Sequence, residues 1–439
     1  MNDSIHDFAA IGIGPFNLGL ACLTAPIAGL KGIFLDQKPG FDWHPGMLLE
    51  DATLQTPFMA DLVTLADPTS PFSFLNYIKE QGRIYSFYIR EDFFLLRNEY
   101  NQYCQWAVSR LPNLRFNTRV EHIEYLEPQR CYRIRATDRQ SGDALSFLAR
   151  KLVLGTGTRP YLPECCREVE GPVIHSAHYL QNKAELQQRE AITVVGSGQS
   201  AAEIFRDLLQ DIDGRGYQLS WITRSPRFFP LEYTKLTLEM TSPEYVDYFH
   251  ALPPHQRDSL LQSQKGLYKG INASLIDDIY DLLYQKRLLA DIRVQLHTNS
   301  ELKAVTPVDG DLALTLRQTE QGVDYRHRTQ ALVLATGYRP CLPEFVQGIA
   351  RRIRWDGCGR FDVARNYSID HGGNQIFVQN AESHTHGLVT PDLGMACYRN
   401  SWLIRELTGQ EHYPVERRIA FQQFAAPTAA VPEREAITL

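Results

Sequence analysis

The chain has 439 residues, 44% hydrophobic and 22% charged, a globular composition long enough for two or three domains. A net charge of −6 and the lack of a basic run argue against nucleic-acid binding, and no apolar run approaches the ~18 residues of a membrane span. The opening MNDSIHDFAAIGIG has two acids and no basic stretch, so it does not read as a secretory signal. The eight cysteines form no C-x-x-C pair, which argues against a thiol redox centre or a zinc site. Reduced thiols in a cytoplasmic protein are the expectation, with most cysteines acting as small apolar filler.

In chain order, Phe8 to Ile11 reads as a short apolar strand. It runs into Gly12-Ile13-Gly14-Pro15-Phe16-Asn17-Leu18-Gly19, a helical pattern follows through Leu23, and Gly32 to Asp36 reads as a second strand ending in an acid. In such a unit the glycines let backbone approach a pyrophosphate at the helix N-terminus, and the acid accepts from a ribose hydroxyl. Gly12, Gly14, Pro15 and Asp36 are therefore candidate ligands of a dinucleotide with a free 2′-hydroxyl, such as FAD.

The segment LVLGTGTRPYLP, from Leu152 to Pro163, returns as LVLATGYRPCLP from Leu332 to Pro343. Between the copies lies a second strand, turn and helix. Ala191–Val195 is the strand, Gly196-Ser197-Gly198-Gln199-Ser200-Ala201 the turn, and Ala202 to Leu209 the helix. The next strand, from Leu219, ends in Arg224 instead of an acid, with Arg227 nearby. A cation there suits the 2′-phosphate of NADPH. Gly196, Gly198, Gln199, Ser200 and Arg224 are the candidate NADPH ligands.

Each segment resembles the A-T-G strand that, in two-dinucleotide flavoproteins, packs near a dinucleotide and leads the chain across to the other domain, which implies a crossing between two Rossmann-like units at each copy. The reading is an α/β flavoprotein with a discontinuous FAD domain, residues 1–170 and 335–439. An NADPH domain, residues 171–235 and 291–334, is inserted in it. Within 236–290, Leu275, Ile276, Ile279, Leu282 and Leu283 form a helical stripe, with Ser274 and Asp277 as its expected cap. That stretch is read as a small helical substrate subdomain.

Four stretches carry a resemblance: FDWHPGMLLEDATLQTPFMADLVTLADPTSPFSFLNYI (41–78), VVGSGQSAAEIF, LVLATGY and THGL. Together they resemble the flavin-dependent N-hydroxylating monooxygenases of siderophore biosynthesis, which act on ornithine, lysine or a diamine. The resemblance covers nearly the whole chain. One departure is Gln330, where the family commonly has an acid. Val169-x-Gly171-x-x-x-His175-x-x-x-Tyr179 is also similar to a flavin-monooxygenase linker.

The resemblance implies FAD, NADPH and O2 as reactants, with a C4a-hydroperoxyflavin giving its distal oxygen to a neutral amine. It implies Gln55 beside the reactive flavin edge, with Trp43 and His44 along the flavin. Thr336 and Gly337 lie in the second repeat. Thr385-His386-Gly387-Leu388 would bring backbone to flavin and substrate. The alternate histidines His384 and His386 lack a third ligand, so no metal is expected. Asn272 is either a substrate ligand or a helix cap. The amino-acid hydroxylases carry F-L-K-D-L, whose lysine binds the substrate α-carboxylate; here Phe58-Met59-Ala60-Asp61-Leu62 has Ala60 in its place. The expected substrate is therefore a diamine, cadaverine or putrescine, with Asp392 as acceptor for its distal ammonium. Lysine or ornithine remains open if Lys265 or Lys269 replaces the missing cation. An NADPH oxidase or a Baeyer–Villiger-type enzyme are further alternatives. The family also implies a homo-oligomer, a dimer or tetramer.

Overall fold

A computed structural model describes residues 5–427, so the outer ends of the expected FAD domain, at 1 and 439, lie outside the described residues. Strand β1 (His6–Ile11) is parallel to β2 (Gly32–Leu35) on one side and to β3 (Ala144–Leu154) on the other. Leu114–Arg115 extends the sheet beyond β2, and an antiparallel pair, Thr118–Leu126 and Cys131–Asp138, extends it beyond β3. Ile376–Val378, from far down the chain, also pairs with β3. One sheet therefore draws strands from both ends of the described chain. Helix α1 (Pro15–Thr24) is buried along almost its whole length. It shares a core with Leu403, Ile404 and Leu407 of the C-terminal helix Ala396–Thr408.

The second sheet is wholly parallel. It centres on β4 (Ala191–Val195), flanked by β5 (Gln218–Ile222) and β6 (Ala331–Leu334), with Val173–His175 and Val294–His297 at its edges. Helix α2 (Gln199–Gln210) follows β4 and buries Ala201, Ala202, Ile204, Phe205, Leu208 and Leu209.

The repeated segments have matching jobs in the two sheets. A Cβ on Gly12 would lie 2.3 Å from the carbonyl oxygen of Gly155, and one on Gly196 would lie 2.4 Å from that of Ala335. Each copy thus seats its first turn against the glycine turn of its own sheet, at a distance only glycine permits. Beyond those turns the tails meet. Thr158–Pro160 pairs antiparallel with Tyr338–Pro340, with Arg159 opposite Arg339. The Arg339 guanidinium lies 3.6 Å from the centroid of the Tyr161 ring, which relieves the like-charge pairing. The duplicated letters form the two-stranded junction between the sheets.

The stretch 236–290 does not sit on one core. Helices Pro243–Ala251 and Pro254–Ser263 lie with Leu388, Val389 and Met395, around Tyr245, Val246 and Phe249. Helix α3 (Ala273–Leu289) instead lays its stripe, Leu275, Ile276, Ile279, Leu282 and Leu283, on the core under α2. The expected Ser274 cap is also corrected. The helix starts at Ala273 with Asn272 at the N-cap position, and no side chain caps it.

Candidate active site

At the first glycine turn, Gly12 has φ +91°, and nothing lies within 4 Å of a Cβ built on Gly14. The turn faces open space, and the first N–H groups of α1 lack intrahelical acceptors. Asp36, buried just past β2, accepts from the Ile13 N–H at 2.7 Å and the Lys38 N–H at 2.8 Å. Asn17 braces the turn: its amide donates to the Gly12 carbonyl at 2.7 Å and accepts from Gln379 at 2.7 Å. This open cradle with an acid at the end of β2 fits an FAD pyrophosphate and ribose, which the Gly12–Pro15 turn and Asp36 would hold.

Trp43 donates its backbone N–H to Asn101 at 2.9 Å, and its ring meets His44 and Tyr100 edge-on. His44 adopts φ +52° and meets Tyr338 of the second repeat edge-on. The residue is exposed by surface area, although its ring packs against Trp43 and Tyr338. Desolvation, then Arg97 and Lys38, push its pKa down to about 4, so it is neutral at pH 7.

At the second turn, a Cβ on Gly198 would meet the Lys269 carbonyl oxygen at 3.4 Å. Arg224 is exposed just past β5. Partial burial, then Lys265 and Arg224, lower the pKa of Lys269. None of these three cations makes an ion pair among the described residues, an arrangement that fits a 2′-phosphate. Lys265 and Lys269 thus gather beside Arg224. Ser200 follows on the first turn of α2, without a side-chain hydrogen bond among the described residues. The Gln199 side chain is engaged by Glu203, Gln55 and the Asn272 N–H, so its backbone is what the first turn of α2 offers a nucleotide.

The two units are pinned together at the second repeat. Thr336 donates its hydroxyl to the Tyr161 carbonyl, and Gly337 has φ +79°. His175 Nδ1 accepts from the Ala177 N–H at 3.1 Å, so Nε2 carries the proton and donates to the Gly337 carbonyl at 3.0 Å. Gln330 accepts from the Glu190 N–H at 2.8 Å.

Gln55 lies on Thr53–Pro57, which pairs with Phe94–Leu96. Its Nε2 donates to Asn272 Oδ1 at 3.0 Å and Gln199 Oε1 at 3.3 Å. Asn272 occupies the cap position of α3 but gives its side chain to Gln55 and not to the helix. Sequence reasoning placed these three residues at different ligands; the structure brings them into one cluster.

Ala60 is buried and follows the same strand. Asp61 beside it is structural, accepting from the N–H groups of Val63, Thr64 and Phe74. A Cβ built on Gly394 would lie 4.0 Å from Ala60 Cβ and 3.1 Å from Asp392 Oδ1, so Ala60 and the Asp392 carboxylate both lie close to Gly394. Asp392 Oδ1 accepts from the Gly394 N–H at 2.7 Å. Burial raises its pKa, while the Gly394 hydrogen bond and Arg399 act against the rise.

The Thr385–Leu388 turn needs its glycine: Gly387 has φ +82°, and a Cβ there would meet the Phe249 ring at 3.1 Å. The role expected of His386 is through its backbone, and its side chain is engaged within the protein. Its ring is fully buried and stacks on Tyr367 at 4.4 Å, with Nδ1 against the Thr385 hydroxyl at 2.9 Å. His384 Nε2 faces the Phe361 carbonyl at 2.8 Å. Beneath the turn, sequence reasoning missed a buried pair, Arg399 and Glu382 at 2.7 Å.

Residues 4–340 match the L-lysine 6-monooxygenase/L-ornithine 5-monooxygenase family. The chain belongs to this family. It is similar to the FAD-bound crystal structure of DfoA, the desferrioxamine-pathway cadaverine monooxygenase of Erwinia amylovora. That likeness has 63% identity and a TM-score of 0.95, covering 97% of this chain and 100% of that one. A putrescine N-hydroxylase of Shewanella oneidensis is 57% identical over 98% of this chain and 86% of its own length. An alcaligin biosynthesis enzyme of Bordetella pertussis is 53% identical over 98% of this chain and 94% of its own. The protein is an FAD-dependent N-hydroxylating monooxygenase with two Rossmann-like units, and NADPH is its reductant. No helix among the described residues is long and apolar enough to cross a membrane.

Proposed function

We propose that the protein N-hydroxylates one terminal amine of an aliphatic diamine, cadaverine or putrescine, using NADPH and O2, as an early step towards a hydroxamate siderophore. The observation that carries this reading is the Asp392 carboxylate beside Ala60, where a lysine would otherwise meet a substrate carboxylate. An incoming α-carboxylate would lose water next to a like-charged acid and find no cation, at a cost of several kcal/mol. A distal ammonium meets an acceptor instead. The names of the Erwinia and Shewanella relatives agree with this choice.

The two ends of such a substrate need opposite protonation. Asp392 keeps the distal amine charged through a charge-assisted hydrogen bond. The reacting amine must be neutral, although a free alkylammonium has a pKa near ~10.4. Desolvation in a closed pocket drives that proton off. Gln55 Oε1 and Asn272 Nδ2, which have no protein partner among the described residues, orient the reacting end. Bound FAD, reduced by NADPH, supplies the activated oxygen when O2 arrives. The reading places the enzyme in the cytosol as a homo-oligomer, and the exposed apolar stripe Tyr280, Tyr284 and Leu288 on α3 supports the latter. The test is NADPH oxidation with and without amines, scored for hydroxylamine. Amine-independent oxidation yielding only peroxide would identify an oxidase instead.

A further inference from the structure

A chain of fixed polarity runs from the α2 helix to Gln55. Glu203 Oε1 accepts from Gln199 Nε2 at 2.9 Å. Gln199 Oε1 accepts from the Asn272 backbone N–H at 2.9 Å and from Gln55 Nε2 at 3.3 Å. An ionised carboxylate can only accept, and a backbone N–H can only donate. Gln199 lies between one of each, so only one orientation of its amide satisfies both. That orientation presents oxygen to Gln55, which must answer with its nitrogen. The Gln55 nitrogen also meets Asn272 Oδ1 at 3.0 Å and the Gly270 carbonyl at 3.5 Å. Its oxygen is left without a protein donor.

The far end is anchored across the junction between the two sheets' units. Arg97 directs two nitrogens at the two Glu203 oxygens, at 2.7 and 2.9 Å, and also donates to the Met47 carbonyl at 2.8 Å. Their side chains are only 12% and 5% exposed. Gln55 and Arg97 lie on or just beyond the two paired strands Thr53–Pro57 and Phe94–Leu96. Gln199 and Glu203 are four residues apart on α2, on one helix face. Two points of one ribbon therefore meet two points of one helix.

We propose that Gln199 and Glu203 are positioning residues for Gln55, fixing its amide with nitrogen inward and oxygen towards the flavin edge. This rests on the reading of Gln55 as the residue that organises that edge. A loose Gln55 then lets reduced, oxygenated enzyme lose peroxide before the amine is hydroxylated.

The experiment compares Gln55→Ala, Gln199→Leu and Glu203→Gln in the FAD-loaded enzyme, measuring hydroxylamine formed per NADPH consumed with cadaverine. NADP⁺ affinity is titrated in parallel. Thermal unfolding of the FAD-free full chain is followed for Gln55→Ala, Gln199→Leu and the pair. The expected result is a several-fold loss of coupling in all three, with NADP⁺ affinity held within about twofold. Because the two glutamines share one hydrogen-bond chain, their melting shifts should fall short of additive. Should Gln199→Leu not fold, the isosteric Glu203→Gln carries the test by itself. The proposal is overturned if Gln55→Ala uncouples while Gln199→Leu and Glu203→Gln do not. It is also overturned if coupling falls only in step with NADP⁺ affinity, or if the melting shifts add. Intact coupling in Gln55→Ala would overturn the underlying reading of Gln55 as well.

Discussion

Asp392→Asn isolates the feature on which substrate choice turns. Asparagine keeps a side-chain oxygen for the Gly394 N–H, the 2.7 Å bond that shapes this turn, so the backbone should survive. Only the charge is lost. The residue is half-buried, with desolvation as the main influence on its pKa, so its bond to an ammonium is only partly screened by water. Hydrogen bonds to charged groups contribute about 1.5–3 kcal/mol, and about 1.4 kcal/mol corresponds to tenfold in rate. The expected loss in kcat/KM for cadaverine is therefore roughly ten- to a hundredfold. The assay is coupled hydroxylamine formation, run in parallel on cadaverine and on 1-aminopentane, which has the same carbon chain without a second ammonium. The monoamine should be a poor substrate for the parent enzyme and nearly indifferent to the substitution. Equal losses on both amines would show that Asp392 acts through the fold, and the argument for an ammonium acceptor would fail.

Ala60→Lys should place an ammonium where it pairs with Asp392 and repels the diamine, lowering kcat/KM for cadaverine while substrate-free NADPH oxidation stays unchanged; steady-state kinetics decide it. Arg224→Ala should raise KM for NADPH by about tenfold, the order of one charge-assisted hydrogen bond, and leave that for NADH nearly as it was. Equal effects on both nucleotides would remove Arg224 from phosphate recognition. His327, half-buried beside His297 and against the Thr193 hydroxyl at 3.0 Å, has its pKa lowered to about 4 from an ordinary 6.5, chiefly by desolvation. The unfolded chain then binds the extra proton first, so this contribution to stability is present above pH ~6.5 and fades as the pH falls towards 4. Urea unfolding at pH 7 and pH 5 should show that loss, and His327→Gln should flatten it.

The glycine turns, the acid after β2 and the cation after β5 were legible because few residue types satisfy those backbone and charge constraints. The repeated segments were visible as letters, and their pairing through Arg159 and Arg339 was not, because it depends on how two sheets face each other. Long-range polar pairs were hidden for the same reason: Asn17 and Gln379 are 362 positions apart. An apolar stripe does not name its partner, which is why α3 was grouped with its sequence neighbours and not with α2. The surroundings of the His386 ring, stacked on Tyr367 and bonded to Thr385, could not be read from the motif, because Tyr367 comes from a separate segment. The meaning of Ala60 came from the resemblance alone. Its proximity to Asp392, which turns a missing cation into a specificity argument, needed coordinates.

The most direct test sets cadaverine, putrescine, L-lysine and L-ornithine side by side at equal concentration, with NADPH consumed and hydroxylamine formed measured in the same tubes. The account predicts tightly coupled hydroxylation of one or both diamines, and mostly peroxide with the two amino acids. If lysine or ornithine is hydroxylated with higher kcat/KM than both diamines, the reading of Ala60 and Asp392 is contradicted.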